Sequence, residues 1–166
     1  MEHPTTNSSQ ILDKTCLLLV SHFRNLGARS IHTRLFSHML HPEAGYVFIG
    51  RSQAIGPETP THPEHVVPCA VLVTECQRML REGVHAEEQI AALLKRHWKV
   101  ALITKEEQRR LDCELQYKSK MPPGWRFEDG DTFDRFKRAG IVLVQGEYAQ
   151  PALPADGPRA ARSARR

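Results

Sequence analysis

The stretch of residues 62–68, His-Pro-Glu-His-Val-Val-Pro, is the part of this sequence best suited to chemistry. A histidine titrates close to neutral pH, so the imidazole of His65 could take a proton from a water molecule under working conditions. The adjacent Glu64 carboxylate could help to hold a cation. Hydrolysis of a phosphodiester needs both an activated water and a cation that offsets the phosphate charge. Glu64 and His65 are therefore the first candidates for a functional site.

Two strands and a helix would have to position these side chains. The β-branched residues that follow His65, ended by Pro68, predict a short strand over residues 64–67. The apolar run over residues 99–103 predicts a second, buried strand. Thr104, with Glu107 three residues later, forms a capping box, which predicts a helix from residue 104 to about residue 115. Apolar residues at helical spacing predict two further helices between the strands, over residues 71–80 and 86–97.

Three more elements are predicted before residue 50. Apolar residues at helical spacing indicate a helix that starts at Ser8 or Ser9, either of which can cap it, and ends at Gly27. A second helix is predicted over residues 30–40, with Met39 facing inward, and a strand over residues 46–49.

The sequence Glu-His-Val-Val-Pro at residues 64–68 resembles the first strand of the HNH, or ββα-metal, endonucleases. In that family an acidic residue and a histidine open the first strand of a hairpin. A second strand follows, and then a helix that carries a metal-binding His or Asn. The resemblance implies that His65 is the catalytic base and Glu64 a metal ligand. By position in the helix, it makes Glu107 a second ligand, and the implied cofactor is a divalent metal ion, Mg or Zn.

This chain departs from the family pattern at three points. Two helices would be inserted between the hairpin strands, no Asn stands at the middle position, and the helix after Thr104 contains no His. Carried over residue by residue, only His65 and Glu64 match, and the capping box already accounts for Glu107. A Glu-His pair before two valines also fits a plain strand that enters a core with its polar end at the surface.

Basic residues supply candidate contacts to a nucleic acid. Lys105, Arg109 and Arg110 follow Thr104 on the predicted helix and would lie near the site, where they could contact phosphates. A second group could do the same, although a solvated charged face explains it equally well. That group consists of Arg24, Arg29, Arg34 and Arg51.

Two functional hypotheses follow. The first is a small bacterial-type nuclease that hydrolyses nucleic-acid phosphodiesters with a divalent metal ion. The second is a non-catalytic regulatory or accessory protein that binds nucleic acid or another protein. Metal-dependent cleavage that is lost in His65→Ala would favour the first, and salt-sensitive binding without cleavage would favour the second.

Composition limits the class of fold. The chain has 166 residues, of which 40% are hydrophobic and 25% charged, which suits one domain with a buried core. Interspersed helices and strands predict an α+β fold, a small mixed sheet with helices packed around it. We expect a disordered N-terminus over residues 1–8, the domain over residues 9–148, and a disordered Arg-rich tail over residues 149–166.

Charge, cysteines and hydropathy bear on the partners and the compartment. The formal net charge is +4, but the last sixteen residues contribute +3, so the basic pI is mainly a property of the tail. The four cysteines match no zinc-binding spacing, and the longest apolar run, residues 16–20, is too short to cross a bilayer. The polar N-terminus does not resemble a secretory signal. These features predict a cytoplasmic protein with reduced thiols and no membrane partner, and they leave its oligomeric state open.

Overall fold

The computed structural model describes residues 7–146. Within them, four strands form one mixed sheet in the order β2-β3-β1-β4. Strands β1 and β3 are parallel, whereas β2 pairs with β3 and β4 pairs with β1 in the antiparallel sense. This mixed sheet, surrounded by helices, confirms the predicted α+β class. The strands are β1 (Phe48–Ser52), β2 (Thr61–His65), β3 (Val100–Thr104) and β4 (Leu143–Val144).

Seven α-helices and one π-helical turn accompany the sheet within the described residues. Two long helices, α4 and α5, lie between β2 and β3 in the chain. The helix after β3 continues directly into the π-helical turn. The elements are α1 (Ser8–Leu26), α2 (Leu35–Met39), α3 (Ala44–Val47), α4 (Cys69–Glu82), α5 (Glu87–His97), α6 (Lys105–Arg109), the π turn (Arg110–Glu114) and α7 (Asp134–Arg138).

Helix α1 forms because its apolar residues recur at helical spacing and cover one face. Leu12, Cys16 and Phe23 on that face are all buried. The helix packs against α4 and α5. Its N-cap is Asn7, whose side chain accepts a hydrogen bond from the backbone amide of Ser9 at 3.2 Å, rather than either serine. Gly27 ends the helix at a φ of +60°, where a side chain would be strained.

Two elements differ from the sequence prediction. The helix expected over residues 30–40 has only five residues, and its buried side chain is Phe36, whereas Met39 is 39% exposed. The strand expected over residues 46–49 begins at Phe48, because Tyr46 and Val47 belong to α3. Val47 is buried in the core from a helical turn, so tertiary packing overrides its preference for a strand.

Strands β2 and β3 make the predicted antiparallel pair. Glu64 lies opposite Ala101, and Thr61 lies opposite Thr104. Helices α4 and α5 form the predicted insertion between the strands, and α6 follows β3. β2 begins at residue 61 and ends at His65, both earlier than in the strand predicted over residues 64–67, so His65 ends the strand instead of opening it. The strand contains Pro63. Proline is tolerated there because β2 is an edge strand of the sheet.

The chain just after β2 passes between two hydrophobic cores. Val66 packs in the smaller cluster with Ile103, Leu111 and Phe136, whereas Val67 packs in the larger cluster beside α1, α4 and α5. Consecutive side chains of an extended segment point to opposite sides, so the two valines hold the chain from both faces. This anchoring fixes the backbone between the end of β2 and the start of α4.

The boundaries of the predicted segments can be compared only in part. The tail predicted over residues 149–166, the last two residues of the predicted domain, and residues 1–6 lie outside the described residues. Residues 7 and 8, predicted to be disordered, cap and begin α1. Within residues 7–146, no helix combines the length and the apolar character needed to cross a membrane.

Candidate active site around His65 and Cys69

The end of β2 and the start of α4 bring His65 and Cys69 to the wall of one cavity. β2 ends at His65, the two buried valines follow, and Pro68 is the N-cap of α4. Cys69 is therefore the first residue of the helix. The cavity has a volume of about 450 Å³, and its wall includes Arg34, Glu64, His65, Cys69, Lys118 and Ser119.

A carboxylate fixes the ring of His65. The imidazole Nε2 lies 2.6 Å from Oε1 of Glu43, the residue just before α3. The indole Nε1 of Trp98 donates to the same oxygen at 2.6 Å. The Glu43 side chain is 13% exposed, and Trp98 is fully buried. The acceptor is thus held in place from the core, and it sets the orientation of the imidazole.

The thiol of Cys69 is the second partner of the imidazole. Burial lowers the pKa of His65, but hydrogen bonds to Cys69 and Glu43 and their negative charges outweigh it, and together they raise the pKa to about 10. His65 is consequently an imidazolium at neutral pH.

The first turn of α4 adds backbone donors beside the sulfur. The amides of Val71 and Leu72 both donate to the carbonyl oxygen of Pro68, at 2.9 and 3.1 Å. The amides of Cys69 and Ala70 precede them, and the first amides of a helix have no intrahelical acceptor. No side chain caps this helix. Its N-terminus therefore offers N–H groups and a partial positive charge next to Cys69.

Glu64 also lies in the cavity wall, but its carboxylate is occupied. Oε1 accepts from Nη2 of the fully buried Arg135 at 2.6 Å, and Oε2 lies 3.3 Å from Nε2 of His62. The Arg135 guanidinium also donates to the backbone carbonyl oxygens of His65, Val66 and Tyr117. The guanidinium of Arg135 thus binds a carboxylate oxygen of Glu64, the residue to which the nuclease resemblance assigns a divalent cation.

The side chains around Glu64 do not fit the implied metal ion. Both of its oxygens are engaged by cationic or hydrogen-bonding groups, and the neighbouring His65 is itself bonded to Glu43. Over residues 7–146, no three His, Cys, Asp or Glu side chains form a group that could hold a metal.

Glu107, the other predicted ligand, lies at the opposite end of the β2–β3 pair. It is 5% exposed, and its Oε2 accepts from the Thr104 amide at 2.8 Å, which completes the predicted capping box. Its Oε1 accepts from the Ser52 hydroxyl at 2.6 Å. Three residues of strand separate the level of Thr104 from that of Glu64, roughly 10 Å. The structure therefore does not bring Glu107 and Glu64 together.

The three predicted phosphate-binding residues also lie away from the His65–Cys69 cavity. Lys105 Nζ is 3.5 Å from Nδ1 of His62, and Arg109 pairs with Glu114 at 2.7 Å. Arg110 donates to the carbonyl oxygen of Ala139 at 2.7 Å. Lys105 and Arg110 line a separate cavity of about 600 Å³ beside Glu107.

The sequence interpretation missed three residues of this site: Glu43, Cys69 and Arg135. One local signal was available, because Cys69 follows His65 by four residues and Pro68 separates the strand pattern from a helical one. Such spacing can bring a thiol at a helix start back toward an imidazole at a strand end. Glu43 and Arg135 are 22 and 70 residues from His65, and only the fold brings them near it.

In comparisons with models of protein families, with curated proteins and with solved structures, nothing matches this chain.

Proposed function

We propose that this chain is a cysteine-dependent hydrolase or acyl transferase. In this proposal Cys69 is the nucleophile, His65 is the general acid and base, and Glu43 orients the imidazole. One observation carries it: the imidazole of His65, held by the carboxylate of Glu43 at 2.6 Å, lines the same open cavity as the Cys69 thiol. A nucleophile, a base and a group that orients the base form the minimal set for covalent catalysis of acyl transfer.

The reaction would proceed in two steps. A cationic imidazole beside a thiol promotes the thiolate form, which is the nucleophile. The sulfur of Cys69 attacks a carbonyl carbon, a C–S bond forms, and the leaving group departs with the proton of His65. The neutral imidazole then takes a proton from water, whose oxygen attacks the thioester carbon. The C–S bond breaks, the acid leaves, and the thiolate of Cys69 is restored beside the imidazolium of His65. The amides of Cys69 and Ala70 would stabilise the negative oxygen that develops in both steps.

The charge of His65 favours this proposal over activation of water in the free protein. With a pKa near 10, the imidazole already carries its second proton at neutral pH, so it cannot accept one from water before a substrate reacts. It can, however, donate a proton to a leaving group. An imidazolium beside a thiolate is the resting arrangement that a cysteine nucleophile requires.

The test uses p-nitrophenyl acetate, an activated ester that needs little recognition. We expect a burst of p-nitrophenol of about one equivalent per chain, with the acetyl group located on Cys69 by peptide mass spectrometry. Cys69→Ser should abolish the burst. Cys113→Ser is the matched control, because Cys113 is an exposed thiol that does not line the cavity. Acetylation spread equally over Cys69 and Cys113 would contradict the proposal.

The partners of the sulfur can be tested in the same assay. His65→Gln should slow acetylation by about 10²-fold or more, because general acid–base assistance contributes on that scale. Glu43→Gln keeps a hydrogen-bond acceptor but removes the charge, and it should have a smaller effect of about tenfold. Unchanged rates in both variants would show that the imidazole and the carboxylate play no part in the reactivity of Cys69.

A metal-dependent nuclease is the second candidate, because β2 and β3 pair in the antiparallel sense and a helix follows, the layout that the resemblance implies. The occupied carboxylate of Glu64 weighs against it. Plasmid cleavage in the presence of Mg²⁺ or Zn²⁺ separates the two proposals. A nuclease would lose cleavage in His65→Ala and keep it in Cys69→Ala, whereas a cysteine enzyme would show no cleavage in any variant.

A further inference from the structure

Two cationic side chains line the cavity beside Cys69. Arg34 comes from the start of α2, and Lys118 comes from the segment after the π turn. Both residues are exposed and line the cavity wall together with Cys69. Within residues 7–146, neither the guanidinium of Arg34 nor the ammonium of Lys118 forms an ion pair. By contrast, Arg24, Arg78, Arg109 and Arg126 all do.

The acidic group in the same wall does not cancel these charges. The Glu64 carboxylate is bound by the buried guanidinium of Arg135, and the Glu43 carboxylate is bound by the imidazolium of His65. Each carboxylate is thus already balanced by a cation of its own. The helix N-terminus at Cys69 adds a further partial positive charge. The field over the sulfur is therefore positive.

Hydroxyl groups complete the lining. Thr33 and Ser119 line the cavity, and their hydroxyl groups can donate hydrogen bonds to the oxygens of an anion. We propose that the substrate of Cys69 carries an anionic group, a carboxylate or a phosphate, which Arg34 and Lys118 bind beside the reacting carbonyl. This inference rests on the proposed cysteine chemistry, and it names the class of substrate for that site.

Two alkylating reagents that differ only in charge provide the test. Iodoacetate and iodoacetamide present the same reactive carbon, but only iodoacetate is an anion at neutral pH. The thiolate attacks the methylene carbon, a C–S bond forms, and iodide leaves with the electron pair of the C–I bond. We would measure the rate constant of each reagent at Cys69 and at Cys113 by peptide mass spectrometry. The ratio of the iodoacetate rate to the iodoacetamide rate at Cys113 is the reference, because it reports how the two reagents differ in intrinsic reactivity toward a thiol.

We expect the ratio of the iodoacetate rate to the iodoacetamide rate to be about fivefold or more higher at Cys69 than at Cys113 at low salt. This difference should fall as salt screens the charges. Arg34→Ala and Lys118→Ala should each reduce the ratio about two- to threefold. Lys120→Ala is the matched control, because Lys120 is an exposed lysine two residues away that does not line the cavity. It should leave the ratio unchanged.

The source of the anionic group is resolved by protection. Inorganic phosphate and succinate are added separately while Cys69 reacts with iodoacetamide, and the anion that slows the reaction more at equal concentration identifies the preferred group. Protection by either should disappear in the double variant Arg34→Ala/Lys118→Ala.

The two proposals fail in different ways. Slow reaction of Cys69 with both reagents, at the rate of Cys113, would overturn the cysteine chemistry itself. Fast reaction with iodoacetamide but no preference for iodoacetate, together with no protection by either anion, would overturn only the anionic substrate. Equal losses of the ratio in Lys118→Ala and Lys120→Ala would show a general surface charge rather than a binding site.

Discussion

The two ends of the β2–β3 pair each hold a glutamate, and they use it differently. At the end marked by Thr104, both oxygens of Glu107 are taken up by a backbone amide and the hydroxyl of Ser52, and the side chain is 5% exposed. At the other end, Glu43 holds the imidazole of His65, which borders a cavity together with the Cys69 thiol.

The comparison separates a structural carboxylate from one that supports chemistry. Glu107 accepts hydrogen bonds from a backbone amide and a serine hydroxyl, so its carboxylate stabilises the fold and takes part in no chemistry. Glu43 bonds to a group that can move a proton, so its charge acts on the sulfur beyond it. Glu64, which precedes His65 at that same end of β2, bonds to a buried arginine and belongs with the structural group.

Removing the buried cation at Glu64 should have the largest effect. Arg135→Met leaves the Glu64 carboxylate without its main partner and three backbone carbonyl oxygens without their donor. We expect the free energy of unfolding, measured by urea denaturation, to fall by about 3–5 kcal/mol. Replacing Glu64 by Gln as well should recover part of the loss. Arg126→Ala, at an exposed ion pair, is the control and should change little. If Arg135→Met lowers the free energy of unfolding by less than about 1 kcal/mol, the Glu64 carboxylate does not have the structural role assigned to it.

The capping glutamate should rank second. Glu107→Ala leaves the Thr104 amide and the Ser52 hydroxyl without an acceptor, and we expect it to lower the free energy of unfolding by about 2–3 kcal/mol. Glu106→Ala removes an exposed glutamate from the same first turn and should cost about 0.5 kcal/mol or less. Neither variant should change acetylation of Cys69. Slower acetylation in Glu107→Ala alone would contradict a purely structural role, because it would show that Glu107 influences the reactivity of Cys69.

The pH dependence of stability should reveal the charged imidazole. The pKa of His65 is raised from an ordinary 6.5 to about 10, so the folded state favours the protonated form. Its stabilising contribution is complete below pH 6.5 and is lost as pH rises toward 10. Relative to His65→Gln, the wild-type protein should lose about 1–2 kcal/mol of unfolding free energy between pH 6.5 and pH 10, after discounting for partial exposure. Parallel pH profiles of the two proteins would argue that His65 is neutral in the fold.

The smallest effect is expected at the helix that follows β3. Arg109 is 60% exposed and pairs with an exposed Glu114, so Arg109→Ala should change the free energy of unfolding by less than about 0.5 kcal/mol. Lys105→Ala should likewise leave the iodoacetate preference of Cys69 unchanged, because Lys105 lines the other cavity. If either variant reduced the preference of Cys69 for iodoacetate, the charges on the helix after β3 would contribute to the electrostatic potential at Cys69.

Much of the fold followed from local patterns. The apolar spacing of α1, the glycine that ends it, and the Thr104–Glu107 capping box are each short-range signals, and each is confirmed. The antiparallel pairing of β2 with β3 and the two helices between them also agree with the prediction. The shift of β1 by two residues could not be foreseen, because Tyr46 and Val47 favour a strand by type, yet here they pack from a helical turn.

Local patterns were enough to predict most of the elements and the capping role of Glu107, because each depends on residues within a few positions of one another. They placed His65 at the start of a strand, whereas His65 ends β2. The tertiary structure alone decided what His65 does. Glu43 and Arg135 reach the end of β2 from distant parts of the chain and bind the imidazole and the Glu64 carboxylate respectively. Partners so far apart in sequence leave no periodic signal, and the protonation of a histidine depends on the charges around it rather than on its neighbours in the chain.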